Sequence, residues 1–224
     1  MKRLAIAFLV ASFALGTVGA RMADAQLLLV DYVGFDYEFP DPDPSQFGEA
    51  GSGYNGVGEV PGVFAPLVSD PSKEHSYFIT GLLQSNTQVF GTFLVIDYTP
   101  GTLSVYEDSS TPLTYGINPP NATAPSTFTD GDQILTGTLT NFRFVFNTAN
   151  GTGSYEASFE ATGGTQIGNI PLNQRKGWTF AGATSNSTGI PQGYYHQIDG
   201  QVFLDNAPTP GIKGTWGQLK ANFR

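Results

Sequence analysis

The 224-residue chain contains no cysteine. Disulfides, thiolate metal centres and cysteine nucleophiles are therefore excluded. Charged residues make up only 13%, against roughly 25% in ordinary globular chains. Long solvated helices and coiled coils need many Glu, Lys and Arg, so this scarcity argues against both. Histidine occurs only as His75 and His196, too few to supply the usual three or four ligands of a zinc site. No G-x-S-x-G elbow, no G-x-x-x-x-G-K-[ST] loop and no strand-linked G-x-G-x-x-G is present, so these nucleophile and phosphate-binding motifs are missing. Basic residues are scarce as well, 10 against 19 acidic. They are scattered, and beyond residue 25 only Arg175 and Lys176 are adjacent. Such a chain repels phosphates, and nucleic acid is excluded as a partner.

What is present begins with a targeting pattern. Met1-Lys2-Arg3 is basic, Leu4 to Leu15 is apolar apart from Ser12, and small residues lead to Ala23-Asp24-Ala25 before Gln26. That order of basic start, apolar stretch and A-x-A site predicts a secretory signal peptide over residues 1–25. Cleavage would remove three basic residues and one acidic residue. Seven basic and 18 acidic residues would remain, a net charge of −11. The expected location is secreted, periplasmic or cell-envelope, with residues 26–224 forming one domain.

The dominant period in the rest of the chain is two, the mark of strands with two unlike faces. Val33, Phe35, Tyr37 and Phe39 alternate with Gly34, Asp36 and Glu38, and the apolar set is expected to face the core. Phe142, Phe144 and Phe146 form one apolar row. After Asn150-Gly151, Tyr155, Ala157, Phe159 and Ala161 form a second. The two rows predict a hairpin, with Glu156 and Glu160 turned to water. A further hairpin is expected where Pro100-Gly101 follows the strand Phe90–Tyr98. Strands are also expected at 59–64, 77–83, 102–107, 133–139, 178–181, 198–205 and 215–223. No sustained helical period follows residue 25. Many short strands with Gly/Pro turns predict an all-β fold, a single antiparallel jelly-roll-like β-sandwich of about ten strands, with a small β-barrel as the alternative.

Two connections are long and proline-stiffened, Pro40–Val57 and Ser109–Gly131, and loops of this length tend to carry function. They are expected to meet at one end of the fold. Tyr54, Tyr115, Tyr194 and Tyr195 lie in or beside Gly/Pro-rich segments. Their flat faces beside amides and acids are the candidate ligand-binding residues, suited to sugar rings. Asp41, Asp43 and Glu49 share one loop and are the candidate calcium ligands, since calcium takes loop oxygens without a fixed motif. No other cofactor is expected. Asp36 and Glu38 leave one strand face at a spacing compatible with a pair of glycosidase carboxylates. The segment Gly34-Phe35-Asp36-Tyr37-Glu38-Phe39 resembles the E-x-D-x-E strand of jelly-roll glucanases, except that Gly34 stands where their nucleophilic glutamate does. The expected state of the pair is nonetheless solvated, on an outer strand face.

Taken in order, the sequence favours a secreted, non-catalytic binding module for carbohydrate or a cell-surface partner. An outer-membrane β-barrel comes second. A glycan hydrolase using Asp36 and Glu38 comes third.

Overall fold

The computed structural model describes residues 26–204 except 44–45, 110–111, 114 and 116–125. Nine strands follow in chain order: β1 Leu27–Glu38, β2 Gly53–Val63, β3 Glu74–Phe90, β4 Phe93–Tyr98, β5 Gly101–Asp108, β6 Asp132–Asn147, β7 Thr152–Gly163, β8 Trp178–Ser185 and β9 His196–Leu204. The strand expected at 215–223 lies outside the described residues. Every pairing is antiparallel, and β1 pairs with both β2 and β9. β2 pairs with β3, and β5 with β6. The sheet therefore closes on itself. The all-β antiparallel expectation holds, and the architecture is the barrel rather than the sandwich. Among the described residues every strand has a neighbour on both sides, which removes the free edge strands of an open sheet.

β4 and β5 occupy one position in the wall. β4 lies along Gln84–Phe90 of β3, and β5 lies along Glu74–Thr80 of the same strand. The wall thus has eight strand positions. Pro100-Gly101 does not make the expected hairpin. Proline has no N–H for the ladder, and Thr99 and Pro100 only bend a strand that runs on in the same direction. The hairpin lies earlier, between Phe90 and Phe93, which are ladder partners. Its two-residue turn opens on Gly91 at φ 63°, the left-handed conformation such turns require.

The interior is filled by aromatic side chains. Tyr32, Tyr54, Tyr77, Phe142, Phe144, Tyr155 and Phe180 are buried, each at most 3% exposed. Tyr32 stacks on Phe180 with ring centroids 5.3 Å apart, and Phe142 stacks on Tyr155 at 5.8 Å. Tyr32 donates its hydroxyl proton to Tyr155 Oη at 2.9 Å. Burial holds both phenols well above their usual pKa, so they stay neutral. Glycine on a neighbouring strand makes room for the large rings. Gly182 lies against the Tyr155 ring and Gly200 against Tyr32, each too close for a Cβ. Gly200→Ala is therefore expected to cost about 1–3 kcal/mol by overpacking, read from urea denaturation midpoints. A loss below about 0.5 kcal/mol would mean that the Tyr32 ring can move aside.

The β6–β7 hairpin forms as expected. Phe144 pairs with Tyr155, and Leu139 with Phe159. Phe142, Phe144, Phe146, Tyr155 and Phe159 are all buried, while Glu156 is exposed. On β1 the faces are the reverse of the expectation. Tyr32, Gly34, Asp36 and Glu38 turn inward, and Val33, Phe35 and Tyr37 turn outward. The outer apolar face is covered instead by a second cluster. There Tyr37, Val57, Phe128 and Tyr194 pack with Phe35, Phe78, Leu113, Tyr115 and Ile190. Phe128 belongs to a single helical turn, Ser126–Thr129, tied down where Ser76 Oγ donates to the Phe128 carbonyl at 2.9 Å. The outward positions on β6, β7 and β9 are mostly polar, among them Thr136, Thr138, Arg143, Ser154, Glu156, Ser158, Gln197, Asp199 and Gln201, with Val145 and Phe203 as apolar exceptions.

Candidate functional site

The four tyrosines do not form one surface. Tyr54 is a core residue of β2, tilted against Phe142 at 5.1 Å. Tyr115 and Tyr194 do meet, with ring centroids 6.2 Å apart. Both are spent on the outer cluster, against Phe35 at 4.9 and 5.7 Å. Tyr195 stands elsewhere, its hydroxyl donating to Asp41 Oδ2 at 2.8 Å. The long loops leave opposite ends of the barrel. The first joins β1 to β2 beside the ends of β7 and β8 near Thr152 and Ser185. The second joins β5 to β6 beside Glu74 of β3. Strand direction, not loop length, decides the end from which a loop departs.

The first loop is shorter than expected, since β2 begins at Gly53. It folds over the barrel end. Phe39 N–H donates to the Gly53 carbonyl at 2.7 Å, and Gly53 N–H to the Pro40 carbonyl at 2.9 Å. Phe47 packs on Phe144, Phe146, Tyr195 and His196 at centroid distances of 4.6–5.7 Å. Beneath it lie the two acids expected in solvent. Asp36 is fully buried. Its Oδ1 accepts the His196 backbone N–H at 2.7 Å, and His196 Nδ1 lies 3.1 Å from each carboxylate oxygen. The two residues are ladder partners of β1 and β9, 160 positions apart in the chain.

Glu38 is 1% exposed. Its Oε1 accepts the Gly48 N–H at 2.8 Å and the Ser52 hydroxyl at 3.0 Å, while Oε2 is buried without a partner. Burial pushes its pKa up to about 7, with Asp41 and Asp36 adding repulsion and the two hydrogen bonds opposing the rise. Burial, the hydrogen bond to Asp41 and the nearby charges of Glu38 and Glu49 push the Tyr195 phenol up.

The three calcium candidates do not converge. Asp41 accepts from Tyr195, and Asp43 Oδ2 accepts from Gln46 Nε2 at 2.7 Å. Among the described residues no three His, Asp or Glu side chains are grouped to hold a metal.

A groove of about 690 Å³ lies elsewhere, in the outer wall. It opens where two irregularities face each other. Thr99-Pro100 interrupts the β4–β5 position, and β6 bulges between Thr140 and Arg143. Asn141 sits in the bulge at φ 56°, the one non-glycine residue of positive φ among the described residues. Tyr98 and Phe142 form the floor, edge to face at 5.5 Å. On the rim Arg143 Nε donates to Asp97 Oδ1 at 2.7 Å, which holds the Asp97 carboxyl below its usual range. Glu156 is the ladder partner of Arg143 on the far side. None of these rim residues was a candidate from sequence. The one legible signal is a change of parity. Leu135, Gly137 and Leu139 turn inward on odd positions, and Phe142, Phe144 and Phe146 on even ones. Such a switch requires an extra residue.

Family models, curated proteins and solved structures were all searched, and none matches this chain.

Proposed function

We propose that the protein is a secreted, non-catalytic binding module that uses the outer surface of a rigid barrel to hold carbohydrate or a cell-surface partner. The observation that carries the reading is the packed interior. Side chains fill the barrel, and Asp36 and Glu38 are sealed beneath Phe47 and Gly48. Small barrels of about eight strands have room for side chains or one small ligand, and aromatic rings take that room here. A polymeric substrate has no path to the two acids, so the hydrolase reading lacks access to its own catalytic pair. The outer wall supports a water-facing barrel. A membrane barrel presents an apolar band about 25 Å tall, whereas β6, β7 and β9 present mainly Thr, Ser, Gln, Glu, Asp and Arg outward, interrupted by Val145 and Phe203. The low share of basic residues supports a neutral partner over an anionic one.

The test is cosedimentation of the purified protein with envelope material of the producing cell, together with an assay for new reducing ends on polysaccharides. The protein is expected to sediment with the envelope material and to release no sugar. Recovery only in detergent-extracted outer membrane would favour the membrane barrel. Sugar release abolished by Asp36→Asn would establish the hydrolase. Failure to sediment would remove the binding reading.

A further inference from the structure

We infer that the groove between β4 and β6 is a saccharide subsite, taking a neutral, hydroxyl-rich ring against the row Asp97–Arg143–Glu156. The inference rests on the binding-module reading and gives it a place and a ligand class.

The geometry begins with the broken ladder. The β4–β6 pairing stops at Asp97 and Arg143, and the β5–β6 pairing resumes at Gly101 and Leu139. Residues 98–100 and 140–142 therefore face one another without ladder partners between them. A closed wall is interrupted here on both sides at once, by a proline that cannot donate and by an asparagine held in the left-handed region. Strained backbone of this kind persists where the surroundings impose it, and it concentrates at binding sites.

The chemistry of the rim decides the ligand. Asp97, Arg143 and Glu156 lie on three neighbouring strands, β4, β6 and β7, at ladder positions opposite one another. Adjacent strands are about 4.8 Å apart. The row therefore reads acceptor, donor, acceptor across the wall, and hydroxyls can donate to either carboxylate while accepting from the guanidinium. Thr140 and Asn141 line the groove at the bulge, with the exposed Pro100 ring across from them as an apolar surface. Asp97 neutralises Arg143 through their 2.7 Å ion pair, and Glu156 leaves the rim net negative. An anionic ligand is therefore disfavoured. A long apolar ligand finds too little apolar wall, because Tyr98 and Phe142 are buried as floor, 5% and 1% exposed. A neutral ring with several hydroxyls matches what remains.

The experiment is saturation-transfer NMR and titration with cellohexaose, xylohexaose, mannohexaose and chitohexaose. The proteins compared are the wild type, Arg143→Ala, Glu156→Gln and the distant outer-wall variant Gln201→Ala. Unchanged circular dichroism and melting identify folded variants. At least one hexasaccharide is expected to bind the wild type, tenfold or more weakly to Arg143→Ala and Glu156→Gln, and equally to Gln201→Ala. Equal binding by all four proteins would overturn the groove while leaving the binding-module reading standing. Absence of wild-type binding to every hexasaccharide would overturn the inference too. The wider reading is then judged separately, by cosedimentation with the envelope.

Discussion

Phe144→Ala is expected to destabilise the barrel by about 3–5 kcal/mol, the usual cost of deleting a buried aromatic ring. Phe144 is fully buried on β6. It touches Phe47 at 5.3 Å, Tyr54 at 5.8 Å, Tyr155 at 6.0 Å and Phe146 at 6.1 Å. The ring thus joins β2, β6, β7 and the loop that covers the barrel end. Its removal leaves a cavity walled by large aromatics that cannot collapse into it. On the other face, Glu156→Ala is expected to change stability by less than about 0.5 kcal/mol. Urea denaturation of both variants measures the contrast. Equal costs would mean that the inner and outer faces of the β6–β7 hairpin are misassigned, since a one-residue slip exchanges them.

Glu38→Gln is expected to stabilise the protein above pH 7 and to leave it unchanged below pH 4.5. A carboxyl whose pKa rises from 4.5 unfolded to about 7 folded favours the native state while protonated. Its contribution is fully present below 4.5, declines as pH rises because the unfolded chain releases the proton first, and is gone above about 7. The span of about 2.5 units corresponds to about 3 kcal/mol at 1.36 kcal/mol per unit. Glutamine keeps an oxygen for Gly48 N–H and the Ser52 hydroxyl but cannot ionise. The difference in stability between variant and wild type should therefore grow from near zero at pH 4.5 to about 3 kcal/mol at pH 7 and then level off. Taking the difference removes the opposite contribution of carboxylates such as Asp97, held low by Arg143 in both proteins. A flat difference across this range would mean that Glu38 is hydrated and that the loop does not seal it.

The candidate site was far less legible than the fold. Asp36 and Glu38 were recognisable as two acids on one strand face. Their burial was not, because period two separates two faces without saying which one is inside. Val33, Phe35 and Tyr37 looked like the core face, and Phe35 and Tyr37 are apolar for a different reason: Phe128, Tyr115 and Tyr194 cover them from outside. Asp36 tolerates the interior because the imidazole and the backbone N–H of His196 both meet it, and that partner is 160 positions away. The groove likewise joins Asp97 to Arg143, 46 positions apart. Only the parity switch near Asn141 announced an irregularity there.

The sequence by itself determined the all-β antiparallel class, the β6–β7 hairpin with its inner and outer faces, and the absence of cysteine chemistry. Each follows from local alternation, a turn residue or composition, all readable within a dozen residues. Tertiary structure alone decided that the sheet closes, that β1 turns Asp36 and Glu38 inward, and that Pro100 bends a strand instead of reversing it. Closure depends on β1 meeting β9, with Asp36 opposite His196 and Leu27 opposite Leu204. Pairing over that separation is selected by the burial of the whole aromatic interior, a sum over many strands that no local window contains.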